Sequence, residues 1–116
     1  MELNWEISAF DALSNNSLYR ALQLRQEVFV VEQNCIYPEL DGLDQDSIHM
    51  LCWRGTALLA YQRCLPPGLS YPESSLGRIV VAPAGRGQKL GRELVQRGID
   101  LNTKAWPDRD IKIGAQ

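Results

Sequence analysis

Apolar and polar positions along this chain alternate in blocks that predict strands and helices in turn. Trp5 to Phe10 alternates weakly and predicts a first strand at a sheet edge. Ser14-Asn15-Asn16-Ser17 offers N-cap residues, and helical spacing follows in Leu18, Ala21, Leu22, Arg25, Val28 and Phe29. A polar stretch from Asn34 to Ser47 holds Pro38 and Gly42. Ile48 to Trp53 and Ala57 to Leu65 predict two strands around Gly55-Thr56, with glycine where a type II′ turn wants it. Both faces of these strands carry apolar residues, which predicts a sheet covered on both sides. A loop from Pro66-Pro67-Gly68 to Ser75 follows, then a strand and a helix within Leu76–Gly98. Trp106-Pro107-Asp108 ends that helical region, and Asp110 to Gln116 begins a last strand.

The two-residue loop fixes an expected hairpin register. It sets Cys52 opposite Leu59, Cys64 opposite Ser47 and His49 opposite Gln62. The cysteines Cys35, Cys52 and Cys64 are odd in number and lack C-x-x-C spacing, and there is a single histidine. Neither a zinc site nor a disulfide framework is expected, and buried, reduced thiols are.

Composition narrows the class. A chain of 116 residues, 45% hydrophobic and 22% charged, is expected to be one soluble domain with a real core. No apolar run approaches the roughly 18 residues of a membrane span and no leader pattern is visible, so the default setting is the cytoplasm. The net charge of −2 hides an asymmetry. From Gln26 to His49 stand Glu27, Glu32, Glu39, Asp41, Asp44 and Asp46 without a lysine or arginine. From Gly77 to Arg97 stand Arg78, Arg86, Lys89, Arg92 and Arg97 against the single acid Glu93. That split suits an anionic cofactor and a cationic acceptor such as an amine. The basic residues are too few and too local for nucleic acid, and no membrane partner is expected.

The segment LGRIVVAPAGRGQKLGRELVQRG, Leu76 to Gly98, carries the strongest chemical signal. A strand, a Pro/Gly turn with basic residues and an amphipathic helix place free backbone N–H groups and a positive dipole end at the turn, which suits phosphate. A P-loop needs lysine and a hydroxyl directly after its second glycine, but Arg92 and Glu93 follow Gly91. The dinucleotide pattern G-x-G-x-x-G fails by one residue between Gly87 and Gly91.

The segment resembles the acyl-CoA pyrophosphate loop of the GNAT acetyltransferases, [Q/R]-x-x-G-x-[G/A] after a strand ending in V-x-P. Val81-Ala82-Pro83 matches the strand end, Arg86 the first signature position and Gly91 the last. Lys89 stands where the family usually has glycine. Arg25-x-x-Val28-Phe29-Val30-Val31-Glu32-Gln33, then Asp41-Gly42-x-Asp44, His49 and the closing Gly114-Ala115-Gln116, resemble the ElaA-type branch of that superfamily. The resemblance spans essentially the whole chain. It implies an α/β fold of the α+β kind, a GNAT core with a mostly antiparallel mixed sheet and helices on both faces. Residues 1–116 would be a single such domain, C-terminally incomplete and ending at the fifth strand.

What the resemblance implies chemically is an acetyl-CoA-dependent N-acetyltransferase, in which a small-molecule or peptide amine attacks the thioester directly. Carried over by position, the backbone of Ile79, Val80 and Val81 would bind the pantetheine arm. The turn of Arg86, Gly87, Gln88, Lys89, Leu90 and Gly91 would hold the pyrophosphate. Glu32, Asp44 and His49 are the candidate bases. A homodimer is compatible with the family, and no metal is implied. The family's leaving-group acid is a tyrosine on a helix after the last strand seen here, a position that neither Tyr61 nor Tyr71 matches. A second reading, of a different class, is a CoA-binding fragment without turnover that needs a C-terminal segment or a partner chain.

Two residues keep alternatives open. Arg25 lies on the apolar stripe of its helix, where a charge needs a partner; Glu32 is one candidate, and an acceptor pocket shared with Phe29 is the other role. His49 is either a structural strand histidine or a general base. Trp53 and Tyr61 are expected as core aromatics.

Overall fold

The computed structural model describes residues 2–34, 38–107 and 110–114. Strand β1 (Asn4–Ala9) leads through a short 3-10 turn to helix α1 (Asn15–Arg25). The Ser14 hydroxyl caps α1 by accepting from the Ser17 amide at 3.0 Å. The helix then continues in wider π geometry from Gln26 to Glu32, closed by Gln33 N–H donating to the Val28 carbonyl at 3.1 Å. This widening turns the helical face. Leu24 is buried with Ala21, Arg25, Val28 and Phe29, whereas Leu18 and Leu22 of the predicted stripe are only half-buried.

Strands β2 (Ile48–Arg54) and β3 (Ala57–Leu65) form the expected hairpin, and Gly55 adopts the positive φ of 62° that its turn requires. Strand β4 (Ser74–Val81) follows, then helix α2 (Leu90–Ala105) and strand β5 (Ile111–Ile113). The sheet runs in the order β1-β2-β3-β4-β5, antiparallel except for the parallel β4–β5 pair. Strand β1 occupies one edge, as its weak alternation predicts. Each face carries one helix. Ala21, Leu24, Val28 and Phe29 pack on Leu51, Leu58, Tyr61 and Val80. Leu90 and Leu94 of α2 pack on Met50, Cys52, Leu59 and Leu76 from the other side.

One bulge corrects the hairpin arithmetic. Arg54 faces Ala57 and Trp53 faces Leu58, as the turn dictates. Leu59 is then one extra residue on β3, so Cys52 faces Ala60 rather than Leu59 and Cys64 faces Ile48 rather than Ser47. His49 consequently opposes Arg63, not Gln62. The bulge lets Leu58 point toward α1 while the next two residues, Leu59 and Ala60, both serve the α2 cluster. A second bulge places Arg78 and Ile79 of β4 against Gln62 alone, with Arg78 at φ 51°. Cys52 and Cys64 are free and buried, and burial pushes the Cys64 thiol up to about 12. Cys35, Ala115 and Gln116 lie outside the described residues. No helix of the described residues is long and apolar enough to cross a membrane.

Candidate functional site

The β4–α2 connection is built as its sequence suggests. Pro83–Gly85 forms one 3-10 turn, with Gly85 N–H donating to Ala82 O at 2.8 Å and Arg86 N–H to Pro83 O at 3.3 Å. A Cβ on Gly85 would meet Leu90, Val81 and Leu59 at 3.2 to 3.4 Å, so the turn is pressed onto the sheet. The chain then passes through Gly87 at φ 83° and Lys89 at φ 60° into α2. Among the described residues, no well-formed backbone hydrogen bond takes the N–H groups of Gly87 through Arg92; the first amide after them that is well bonded is Glu93, to Lys89 O at 3.2 Å. These consecutive donors converge at a helix N-terminus, an arrangement that binds anions.

Glycine at 91 has no internal reason. A Cβ there would touch only Val81 Cγ2, at an ordinary 3.6 Å. Lys89 shows the reverse, since a side chain occupies the left-handed conformation that glycine adopts freely. Its amide nonetheless belongs to the open run, and its own side chain is exposed.

Strand β4 leads into this turn with an open edge. It pairs with β5 only through Ser74–Leu76, and Gly114 N–H adds a bond to Leu76 O at 2.9 Å. Beyond that point, Gly77–Val81 has no neighbouring strand on that side among the described residues. A groove of about 450 Å³ over the outer face of α1, lined by Tyr19, Leu22, Gln26 and Leu40 among others, shares no residue with β4 or the turn.

Arg86 does not reach over the free amides. Its Nε donates to Val81 O at 3.0 Å, and its two Nη groups grip Glu32 at 2.8 and 2.9 Å. This corrects the expected Arg25–Glu32 pair. The Arg86 hydrogen bond holds the Glu32 carboxyl below its usual range.

Arg25 instead enters a cluster of three arginines and three acids, buried except for Asp41, which reaches the surface. Its Nε donates to Glu39 Oε1 at 2.8 Å and its Nη1 to Asp44 Oδ1 at 2.9 Å. Arg63 grips Asp41 with both Nη groups at 2.8 Å and Asp44 at 2.9 Å. Arg78 donates from Nε to Glu39 Oε1 at 2.8 Å, and from Nη2 to Glu39 O at 2.9 Å and Asp41 Oδ2 at 3.3 Å. Burial alone would raise the Asp41 carboxyl, but its bonds with Arg63 outweigh that and hold it at about 2. Asp44 is lowered likewise, against burial, by Arg25 and Arg63. Three of the acids that made the Gln26–His49 segment look like a lure for cations are thus neutralised internally.

The candidate bases do not converge. His49, 1% exposed, lies 2.6 Å from Tyr61 Oη through Nδ1 and 2.8 Å from Asp44 O through Nε2. A carbonyl can only accept, so Nε2 carries the proton and Nδ1 accepts from the Tyr61 hydroxyl. Burial lowers the His49 pKa and keeps the ring neutral. Asp44 is buried between two guanidiniums, and Glu32 faces the solvent in its pair with Arg86. Arg25 and Phe29, 1% and 2% exposed, are held inside the core and present no acceptor-binding surface. Trp53 and Tyr61 pack on the α1 cluster. Sequence reasoning missed Glu39, Asp41, Arg63 and Arg78; an arginine on each of two buried strands was the available signal. No group of three His, Cys, Asp or Glu side chains among the described residues is placed to hold a metal ion.

Residues 15–104 match the sequence profile described as the acetyltransferase (GNAT) family. The chain belongs to that family. Within it, the chain is 40% identical over 116 residues to the protein ElaA of Escherichia coli, covering 98% of this chain and 76% of ElaA. The crystal structure of E. coli ElaA superposes with a TM-score of 0.93 at 39% identity, covering 99% of this chain and 79% of that one. An acyl-CoA N-acyltransferase from Pseudomonas aeruginosa superposes at 0.92 with 42% identity, over 99% of this chain and 80% of its own. A predicted acetyltransferase from Clostridium acetobutylicum, solved with acetyl-CoA, shares the fold at 0.67 and 14% identity, over 99% and 82%. The mixed five-stranded sheet with a helix on each face is therefore the GNAT fold.

Proposed function

We propose that this GNAT chain binds acetyl-CoA along β4 and the Arg86–Gly91 turn, and passes its acetyl group to an amine of a small molecule or peptide. The observation that carries this reading is the run of amides from Gly87 to Arg92 without a well-formed backbone bond, continuous with the open edge of β4. A diphosphate matches the first feature and an extended amide-bearing chain the second. The acetyl-CoA solved with the Clostridium acetobutylicum protein of the same fold agrees with this choice of ligand.

The bond changes are simple. The amine nitrogen forms a bond to the thioester carbonyl carbon, the C–S bond breaks, the amine loses a proton and the thiolate regains one. The chain's contribution is positioning together with polarisation of the carbonyl. Ala82 N–H donates to Leu59 O on β3, so the alternation of the strand turns the Val81 N–H to the open edge, beside the Val81 carbonyl that accepts from Arg86. Arg78 is fixed by Glu39 and Asp41, so the β4 bulge is anchored to the 38–44 loop. With Asp44 and His49 engaged internally and Glu32 paired with Arg86, the amine proton leaves through solvent.

Calorimetric titration with CoA, followed by thiol release from acetyl-CoA with a panel of amines, tests the reading. Saturable CoA binding with amine-dependent thiol release is the expected result. Absence of CoA binding would overturn it. Binding without thiol release from any amine would leave only the CoA-binding half standing.

A further inference from the structure

The pair between Glu32 and Arg86 links the end of the π-helical segment to the first residue of the phosphate turn, 54 positions apart in sequence. Its geometry is fork to fork, with Nη1 on Oε2 at 2.8 Å and Nη2 on Oε1 at 2.9 Å. A guanidinium grips a phosphate in the same bidentate way. The carboxylate thus occupies donors that a phosphate could use. It does so directly before the open amides of Gly87–Arg92.

Three observations favour exchange over a fixed brace. Both side chains are more than 40% exposed, at 43% and 45%, so water competes for the pair and its net strength is small. Arg86 is the sole ion-pair partner of Glu32 among the described residues. Glu32 also ends a helical segment, where the dipole disfavours a negative charge. A diphosphate brings more charge than one carboxylate and has the backbone donors of the turn as well.

We propose that Glu32 is a positioning residue that sets the affinity of the phosphate turn by holding the Arg86 guanidinium until a diphosphate replaces it. The inference rests on the reading of the turn as a CoA site. Ligand binding then breaks the Glu32–Arg86 pair and frees a carboxylate at the end of the π-helical segment. Glu32 acts through Arg86 and lowers affinity, which favours release of the product CoA.

A double-mutant cycle read by CoA calorimetry tests this. Glu32→Gln should tighten CoA binding by about threefold to fivefold, the scale of an exposed pair. Arg86→Gln should weaken it, and Glu32→Gln placed in the Arg86→Gln background should change affinity by less than about twofold, because the two effects are coupled. Weaker or unchanged binding in Glu32→Gln overturns the proposal, and so does an equal gain in both backgrounds, which would be a plain charge effect. If the wild-type chain bound no CoA, the reading of the turn itself would fall. CoA binding that ignores Glu32 would remove only this inference.

Discussion

Tyr61 donates its phenolic proton to Nδ1 of His49 across 2.6 Å, deep beneath α1. The ring's other nitrogen donates to the Asp44 carbonyl at 2.8 Å, so both are engaged and the imidazole is a strut between β2, β3 and the 38–47 segment. Tyr61→Phe leaves Nδ1 buried without a donor. The expected cost is about 1–3 kcal/mol in urea unfolding.

The same strut sets a pH dependence. Burial lowers the folded pKa of His49, so below its ordinary value of about 6.5 the unfolded chain takes a proton that the folded chain resists. This contribution to stability is complete above about pH 6.5 and declines as pH falls below it. Melting temperature should drop between pH 7 and 5, and His49→Gln should flatten that slope. An unchanged slope would mean that another group titrates there.

The acidic partners add a second, lower arm. Asp41 at about 2 and the lowered Asp44 give stability that is full above roughly pH 4, the unfolded value, and lost as pH falls through their folded values. Asp44→Ala would take from Arg25 and Arg63 the Oδ1 that both bind, leaving Arg25 with Glu39 and Arg63 with Asp41. Removing one partner from a buried pair costs about 3–5 kcal/mol, so this variant should unfold at much lower urea or fail to accumulate. Asp44→Asn, which keeps the oxygen that both guanidiniums share but not its charge, should lie between the parent and Asp44→Ala.

The division between what the sequence revealed and what it hid follows the range of the interactions. The Ser14 cap, the Gly55-Thr56 turn and the strand–turn–helix around Arg86 depend on neighbours, and each was legible. The hairpin register was not. Leu59 is an extra residue whose place is chosen by the α2 cluster, and no turn rule reports it. The partner of Arg25 was misread for a related reason. Glu32 is nearer in sequence, but the widened helix carries it toward Arg86 while the 38–44 loop returns to bring in Glu39 and Asp44. Charge counts by segment could not reveal that Arg63 and Arg78 lie beneath those acids.

Lys89 tests the backbone of the turn apart from its charge. A lysine at φ 60° bears a strain that glycine does not. Lys89→Gly should therefore raise stability by about 1 kcal/mol, seen as a higher urea midpoint with unchanged slope. CoA affinity should fall only through the lost positive charge, and that loss should fade at high salt. A loss that persists in salt would mean that the lysine side chain makes a direct contact.

Gly91 separates the demands of the fold from those of the ligand. Inside the protein, a Cβ here meets only Val81 Cγ2 at 3.6 Å, and the position is the second residue of α2. Helix propensity favours almost any residue over glycine, so Gly91→Leu should be as stable as the parent or up to about 1 kcal/mol more so. The same leucine would stand over the amides that the proposed diphosphate approaches, and CoA binding should weaken by about tenfold or more, a loss of roughly 1.4 kcal/mol. Calorimetry and urea unfolding on one preparation read both quantities. Improved stability with lost affinity would show that the glycine serves the ligand. Unchanged affinity would remove the pyrophosphate from this turn whatever the stability did.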